Sequence, residues 1–219
     1  MRITISKENY LKAVAEAESE GETVIAATLV RWLGVSAPAV TMAIRRLKRD
    51  GLIRVATNGE ISLTKQGRAI AEGILNRHHL IERMLTEIFG MEWYKVHDEA
   101  EQMEHAVSAD FEQKLHEKLG GNETPCPHGN RVGLDRPRDR RQRGWVPLDE
   151  ATGMVIVASV FERDRQLLEY LDGLGIRPGA KLRMLARNYD DTVSLQIDRK
   201  PVQLGLAAAA RVWVEPTAA

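Results

Sequence analysis

The sequence predicts a mainly α protein with β, arranged as an N-terminal winged helix-turn-helix, a helical middle and a small C-terminal β-barrel. Three observations carry that prediction. Two short apolar-periodic stretches meet at Gly34-Val35-Ser36 and lead into a hairpin signal at Asn58-Gly59, and a hairpin directly after a helix-turn-helix is a wing. The middle third keeps a 3.6-residue period. From Val146 onward the period falls towards two, with turn residues between short β-prone runs. These shifts divide the chain into the winged helix-turn-helix over 1–65, a helical domain over 66–128, a linker over 129–145 and the barrel over 146–219.

Each element has its own justification. Tyr10, Leu11, Val14 and Ala17 recur at helical spacing over 7–19, with Ser6 placed to cap. Ile25, Leu29, Val30 and Leu33 repeat the pattern over 24–33. Ser36-Ala37-Pro38 then offers a capping serine and an early proline for a helix from Val40 to about Arg49. That helix buries Val40, Ile44 and Leu47 and carries Arg45, Arg46, Lys48 and Arg49. The second helix of such a motif lies in the major groove with its N-terminal residues at base edges. The basic cluster over 45–54 is opposed only by Asp50 and is suited to neutralising phosphates. The alternative, a small helical domain that binds protein, leaves that cluster without a task. Leu52–Val55 and Glu60–Leu63 form the wing.

Helices are predicted over 65–88, 95–106 and 110–119, with more apolar surface than they need for one another, so part of it is expected at a dimer interface. Arg136 to Gly144 is charged and lacks apolar period, which reads as a solvated tether more readily than as a nucleic-acid arm. Strands are expected over Met154–Phe161, Lys181–Arg187, Thr192–Ile197 and Val212–Val214, with a helical insert at about 164–173.

The chemistry is concentrated in the middle domain. His97, Glu101, Glu104 and His105 stand at i, i+4, i+7 and i+8, one face of a helix, and His78 and Glu82 stand at i, i+4 on the helix before it. Imidazoles and carboxylates on facing helices suit a divalent first-row metal. The bland reading is a solvated acidic face with incidental histidines, which six residues in this pattern fit poorly. Lys+Arg and Asp+Glu balance at 31 each, so net charge points to no particular partner. Cys126 is the only cysteine, as in proteins of a reducing cytosol. No apolar run approaches the ~20 residues of a membrane span, and the start lacks a signal-peptide pattern. A cytoplasmic location away from membranes is the expectation. No acid, base or nucleophile is spare beyond the would-be ligands, which argues against an enzyme. A dinuclear metalloenzyme and a winged helix with a purely structural metal remain the rival readings.

Together, the winged helix, His78 and Glu82, the run His97-Asp98-Glu99-Ala100-Glu101-Gln102-Met103-Glu104-His105 and Cys126-Pro127-His128-Gly129-Asn130 resemble the DtxR/MntR family of metal-dependent transcriptional repressors. Glu8-Asn9-Tyr10-Leu11, Gly34 to Thr41 and Leu63-Thr64-Lys65-Gln66-Gly67 add to the match, and Leu174 to Gly179 resembles the SH3-like (FeoA-type) third domain of longer members; the resemblance implies a DNA-binding domain over 1–65 and a dimerisation and metal-binding domain over 66–128. The resemblance implies a homodimer that reads a palindromic double-stranded operator and represses metal-uptake genes when metal is bound. It implies two metals per subunit. One would take His78, Glu82 and His97 with one or two side chains from among Glu162, Asp164 and Gln166; the other would take Glu101, Glu104, His105 and Asn9. Glu101 stands where iron-type members carry a softer ligand, which favours Mn²⁺ over Fe²⁺. Asn9 brings no charge, and Lys12, one turn on, is expected to weaken metal binding or to pair with Glu101 or Glu104. Ser36, Ala37, Pro38, Ala39, Thr41 and Met42, followed by Arg45, Arg46 and Lys48, are the expected DNA-reading face; Ala39 and Met42 depart from the family's usual polar residues. The family's ordered Pro-His-Gly turn favours a structural role for Cys126 and His128 over a ligand role. Two expectations follow for the switch. Carboxylates lacking a metal should repel one another and free the winged helices, and loss of His78 should be milder than loss of Glu104 or His105.

Overall fold

The computed structural model describes residues 3–120, 124–133 and 136–217. Helix α1 (Ile5–Ser19) is capped by the Thr4 side chain, not by Ser6, which lies inside its first turn. Helix α2 (Ala26–Leu33) ends at Gly34, whose left-handed φ of 63° makes the tight turn into α3 (Ala37–Arg49). The Ser36 side chain accepts from Ala39 N, and Pro38 sits in the first turn, as the sequence predicts. Val40, Ala43 and Leu47 of α3 pack into a core with Leu11, Val14 and Leu29. Strands β1 (Ile53–Val55) and β2 (Ile61–Leu63) pair antiparallel as the wing. Helix α4 (Lys65–Arg83) starts where Gly67 crosses the Leu52 carbonyl so closely that any Cβ would collide with it.

A π-helical turn over Met84–Ile88 extends α4, and α5 (Val96–Met103) and α6 (Ala109–Leu119) complete the middle domain. Its core gathers Leu80, Ile81, Met84, Ala100 and Leu115. Phe89 is 69% exposed and Phe111 43% exposed, so apolar surface of this domain is left uncovered within the chain. The C-terminal sheet has six antiparallel strands in the order β3 (Val146–Pro147), β8 (Val212–Pro216), β4 (Gly153–Val160), β5 (Lys181–Arg187), β6 (Thr192–Ile197), β7 (Lys200–Gly205). Strands β3 and β7 carry too little periodic signal to be expected from the sequence. Helix α8 (Arg165–Gly173) follows β4, and a one-turn α9 (Leu206–Ala209) precedes β8. Among the described residues no single helix is long and apolar enough to cross a membrane.

The linker corrects the expectation of a solvated tether. Pro137–Gln142 forms a short helix, α7. Arg140 is 2% exposed, donates to Glu20 and to Asn130 Oδ1, and lies over the Trp213 ring with its guanidinium carbon 5.0 Å from the centroid. Val132 packs into the N-terminal core, and the Pro137 ring lies so close to Gly21 that a Cβ there would meet it. Charge without apolar period suggests solvation because the acids and the indole that receive these arginines are far away in sequence. The barrel is docked too: Trp93 Nε1 donates to Asp172 at 2.6 Å, and Trp93 and Tyr94 pack against the barrel core.

Candidate metal centre and DNA-reading face

Helix α4 places His78 and Glu82 one turn apart, both fully buried, facing His97 on α5. His78 Nε2 lies 3.0 Å from Glu82 Oε1 and 3.0 Å from His97 Nδ1. Of the three acceptors offered by the barrel, Glu162 is the one that arrives. It is buried and reaches Asn130 Nδ2 at 2.6 Å, whereas Asp164 caps α8 and Gln166 is exposed. The Cys126-Pro127-His128-Gly129 turn forms as expected, with Gly129 N donating to Cys126 O at 2.8 Å. Its side chains reach further than a structural role requires. His128 donates Nε2–H to Trp93 O at 2.9 Å, which leaves Nδ1 facing Glu82 at 3.4 Å, Glu162 at 3.6 Å and Cys126 Sγ at 3.8 Å. His79, which helical spacing alone does not single out, comes within 3.8 Å of Glu162. Two overlapping donor sets result: His79, Glu82, Cys126 and Glu162, and His78, His97 and Glu162, each with one donor atom per residue within 4.8 Å of the others. We call this the inner centre.

The electrostatics of the inner centre favour a cation. Burial pushes the Glu82 carboxyl upward, but His128 and His78 beside it hold it well below the usual carboxylate range. Burial and Glu82 also push Glu162 upward, and His79 and His97 outweigh them. Cys126 moves the other way: burial and the two carboxylates raise its thiol, so a metal that takes the thiolate must release a proton. Glu82 Oε2 is buried and has no hydrogen-bond partner. Such an orphan costs about 1–3 kcal/mol unless something meets it, and a cation among these donors would. The residues fit a divalent metal.

The outer centre lies on the other side of His78. Here α5 is shorter than predicted: it ends at Met103, Glu104 caps it and His105 sits in the following turn, so the four-residue face is not one continuous helix. Glu101, Glu104 and His105 still converge. Among them lies the Lys12 ammonium, 3% exposed, at 2.7 Å from Glu104 Oε2, 3.1 Å from His78 Nδ1 and 3.8 Å from Glu101 Oε1. This is the predicted pairing. A second cation, Arg163 from the barrel, reaches Glu16 at 2.7 Å, Glu101 at 3.3 Å and the Trp32 carbonyl at 3.2 Å, so one guanidinium joins all three domains. Burial raises the Glu104 pKa, but the hydrogen bond from His78 and the charge of Lys12 bring it down to about 2. Burial and Lys12 push His78 down, and Glu82 with Glu104 carries it up to about 9. The outer carboxylates are therefore matched by internal cations, and mutual repulsion is not what a metal would relieve. Asn9 lines the same cleft, but it is exposed. A cation-binding position is built here, and an ammonium fills it.

Every residue of the expected DNA-reading face is at least partly exposed: Ser36, Ala37, Pro38, Ala39, Thr41, Met42, Arg45, Arg46 and Lys48. Lys7 on α1 pairs at 2.8 Å with Asp50, the residue that caps the end of α3.

Comparison with known proteins agrees with this architecture domain by domain. Residues 2–60 match the iron dependent repressor N-terminal DNA binding domain, 64–132 the iron dependent repressor metal binding and dimerisation domain, and 147–216 the FeoA domain. The diphtheria toxin repressor of Corynebacterium diphtheriae is 33% identical over 208 residues, which cover 90% of this chain and 91% of that protein. The iron-dependent repressor IdeR of Mycobacterium tuberculosis is 39% identical over 172 residues, 76% of this chain and 73% of that one. A solved manganese-dependent transcriptional repressor in complex with manganese superposes with a TM-score of 0.84 at 32% identity, covering 96% of this chain and 100% of that one. The manganese regulator SloR superposes at 0.77 with 26% identity, covering 98% and 100%. With a winged helix, a metal-binding dimerisation domain and a FeoA domain matched in order, the chain belongs to the iron-dependent (diphtheria toxin) repressor family of metal-dependent transcriptional repressors.

Proposed function

We propose that the protein is a cytoplasmic homodimer that binds a palindromic operator when divalent metal is bound, and represses metal-uptake genes. The observation that carries this reading is the orphaned Glu82 oxygen inside a buried ring of imidazole, carboxylate and thiol donors, on a domain whose outer centre shares its residues with α1. The inner centre is assigned Glu82, Cys126, His128 and Glu162, with His78, His97 and His79 around them; the outer centre is assigned Glu101, Glu104 and His105. Two metals per subunit can then be held. Hard oxygen donors at the outer centre favour Mn²⁺ over Fe²⁺, whereas Cys126 makes the inner one softer.

His78 links the two centres, since its Nδ1 faces Glu104 at 2.6 Å and its Nε2 faces Glu82 at 3.0 Å. Lys12 on α1 joins the same network, so the orientation of the winged helix depends on who holds Glu104. A bound metal supplies a double positive charge and fixed ligand geometry; the chain's own residues decide how α1 responds. The test is retardation of a duplex, selected by the protein from a random pool, during titration with Mn²⁺, Fe²⁺, Co²⁺ and Zn²⁺ against a chelator. Retardation that ignores metal would leave the metal purely structural and end this reading.

Two further outcomes follow. Alanine at Arg45, Arg46 or Lys48 should weaken binding to all sequences alike and make the salt slope shallower by about 1 unit for each phosphate left without its cation. The selected half-sites should lie about one turn, ~34 Å, apart or a multiple of it; unchanged slopes in all three variants would put the DNA elsewhere. At the inner centre, Glu162→Ala should lower metal affinity about 10-fold or more, in line with loss of a charged donor, while Asp164→Ala and Gln166→Ala leave it within error. Calorimetric titration with Co²⁺ reads this, and equal losses in all three would remove Glu162 from the ligand set.

A further inference from the structure

The resemblance assigns Asn9 as the α1 residue of the outer centre, yet Asn9 is uncharged and exposed. The residue before it makes the contact. Glu8 Oε2 lies 2.8 Å from His105 Nδ1, with the two side chains 22% and 12% exposed. A carboxylate at Nδ1 holds the ring proton there and leaves Nε2 with the lone pair. Nε2 faces Glu104 Oε1 at 3.4 Å, towards the outer centre. An outer carboxylate on one imidazole nitrogen, with the other turned to the ligand set, is how proteins orient a metal-binding histidine and raise its basicity. Glu8 also stands in the first turn of α1 beside Lys7, which is paired with Asp50 at the end of the recognition helix α3. Consecutive residues in the first turn of α1 thus reach both ways, Glu8 to His105 and Lys7 to Asp50.

We propose that Glu8, acting through His105, is the positioning residue that couples the outer metal centre to the DNA-binding domain, and that Asn9 is not a ligand. The proposal rests on the metal-dependent reading above and deepens it. It makes α1 respond to the centre without entering the ligand set: an ion on His105 Nε2 polarises the ring and strengthens the bond from Nδ1–H to Glu8. Lys12 and Glu8 then act from one helix at two ends of the same site, one as competitor and one as support.

The experiment uses the full-length chain and three variants, Glu8→Ala, Glu8→Gln and Asn9→Ala. Mn²⁺ affinity is measured by calorimetry with and without the selected duplex, and ¹⁵N spectra of the histidine rings report the His105 tautomer. Glu8→Ala should lose about 10-fold to 100-fold in Mn²⁺ affinity at the outer centre. The factor by which DNA tightens Mn²⁺ should fall towards one, and His105 should lose its fixed Nδ1–H form. Glu8→Gln, whose amide oxygen accepts the same hydrogen bond, should recover much of both affinity and coupling. Asn9→Ala should match the wild type within about 3-fold. Wild-type coupling in Glu8→Ala, or an equal loss in Asn9→Ala, would overturn the proposal. Because the tautomer is read without DNA, a wild type that shows no metal-dependent DNA binding fails the functional reading separately.

Discussion

Lys12→Glu is expected to raise Mn²⁺ affinity at the outer centre by at least about 10-fold. The Lys12 ammonium lies 2.7 Å from Glu104 and 3.8 Å from Glu101, so an incoming ion competes with a tethered cation for the same carboxylates. Opposite unit charges at about 4 Å interact by roughly 4 kcal/mol at an effective dielectric near 20. The gain from removing that competitor exceeds one power of ten even after part of it is lost to rearrangement. A new carboxylate one turn from Glu8 also adds an oxygen donor. The same change should loosen the protein in chelator, because a further acid would face Glu16 and Glu101, left with Arg163, and Glu104, left with His78. Lys12→Met separates the two effects: it removes the competitor without adding a ligand. Breaking a buried pair leaves a buried charge and typically costs ~3–5 kcal/mol, so this variant should melt earlier in chelator and be rescued by Mn²⁺ more than the wild type is. Calorimetric titration and melting curves with and without Mn²⁺ read both. Unchanged Mn²⁺ affinity in both variants would mean that Lys12 does not compete for the site.

The local signals in this chain were legible because they are local. The wing followed from Asn58-Gly59, the recognition helix from Ser36 and Pro38, and the i, i+4 pairs of His78 with Glu82 and of His97 with Glu101 from helical spacing. What sequence alone left open depends on contacts made across long separations. Glu162 was one of three acids or amides in a short stretch, and only the docking of the barrel onto Asn130 and the His128 turn distinguishes it from Asp164. Cys126 and His128 carry no helical period, so nothing local aims them at Glu82. Arg163 and Arg140 resemble surface charges because their partners, Glu16 and Glu20, lie on the first helix or just past its end. The unexpected strand β7 follows the Asp198-Arg199 turn, ends at Gly205 and carries Pro201. The proline is tolerated because β7 is an edge strand, paired only with β6. A signal for Glu8 did exist: it is the acid next to Asn9 in the matched Glu8-Asn9-Tyr10-Leu11 run.

His78→Ala should abolish metal-dependent DNA binding as fully as Glu104→Ala does, which reverses the sequence-based expectation of a milder effect. That expectation treated His78 as belonging to one centre without contact to the first helix. Its ring instead meets Glu104 at 2.6 Å and the α1 residue Lys12 at 3.1 Å on one side, and Glu82 and His97 at 3.0 Å each on the other. Removing it opens a void between the centres and takes a partner from both Glu82 and Glu104. Metal can favour the DNA-competent arrangement only by its differential affinity for it, and the residue that touches both centres and α1 carries that difference. DNA and metal must each tighten the other by the same factor, so the loss should appear twice: as DNA binding that no longer responds to Mn²⁺, and as Mn²⁺ affinity that no longer responds to DNA. In Glu104→Ala the inner centre keeps all its donors, so Co²⁺ should still bind there with a thiolate absorption from Cys126. In His78→Ala that band should weaken as well. Both variants should remain folded and dimeric, as checked by circular dichroism and sedimentation, because neither substitution touches the exposed apolar residues Phe89 and Phe111 or the core around Leu80, Ile81 and Leu115. Metal-responsive DNA binding that survives in His78→Ala but not in Glu104→Ala would return His78 to the inner centre alone.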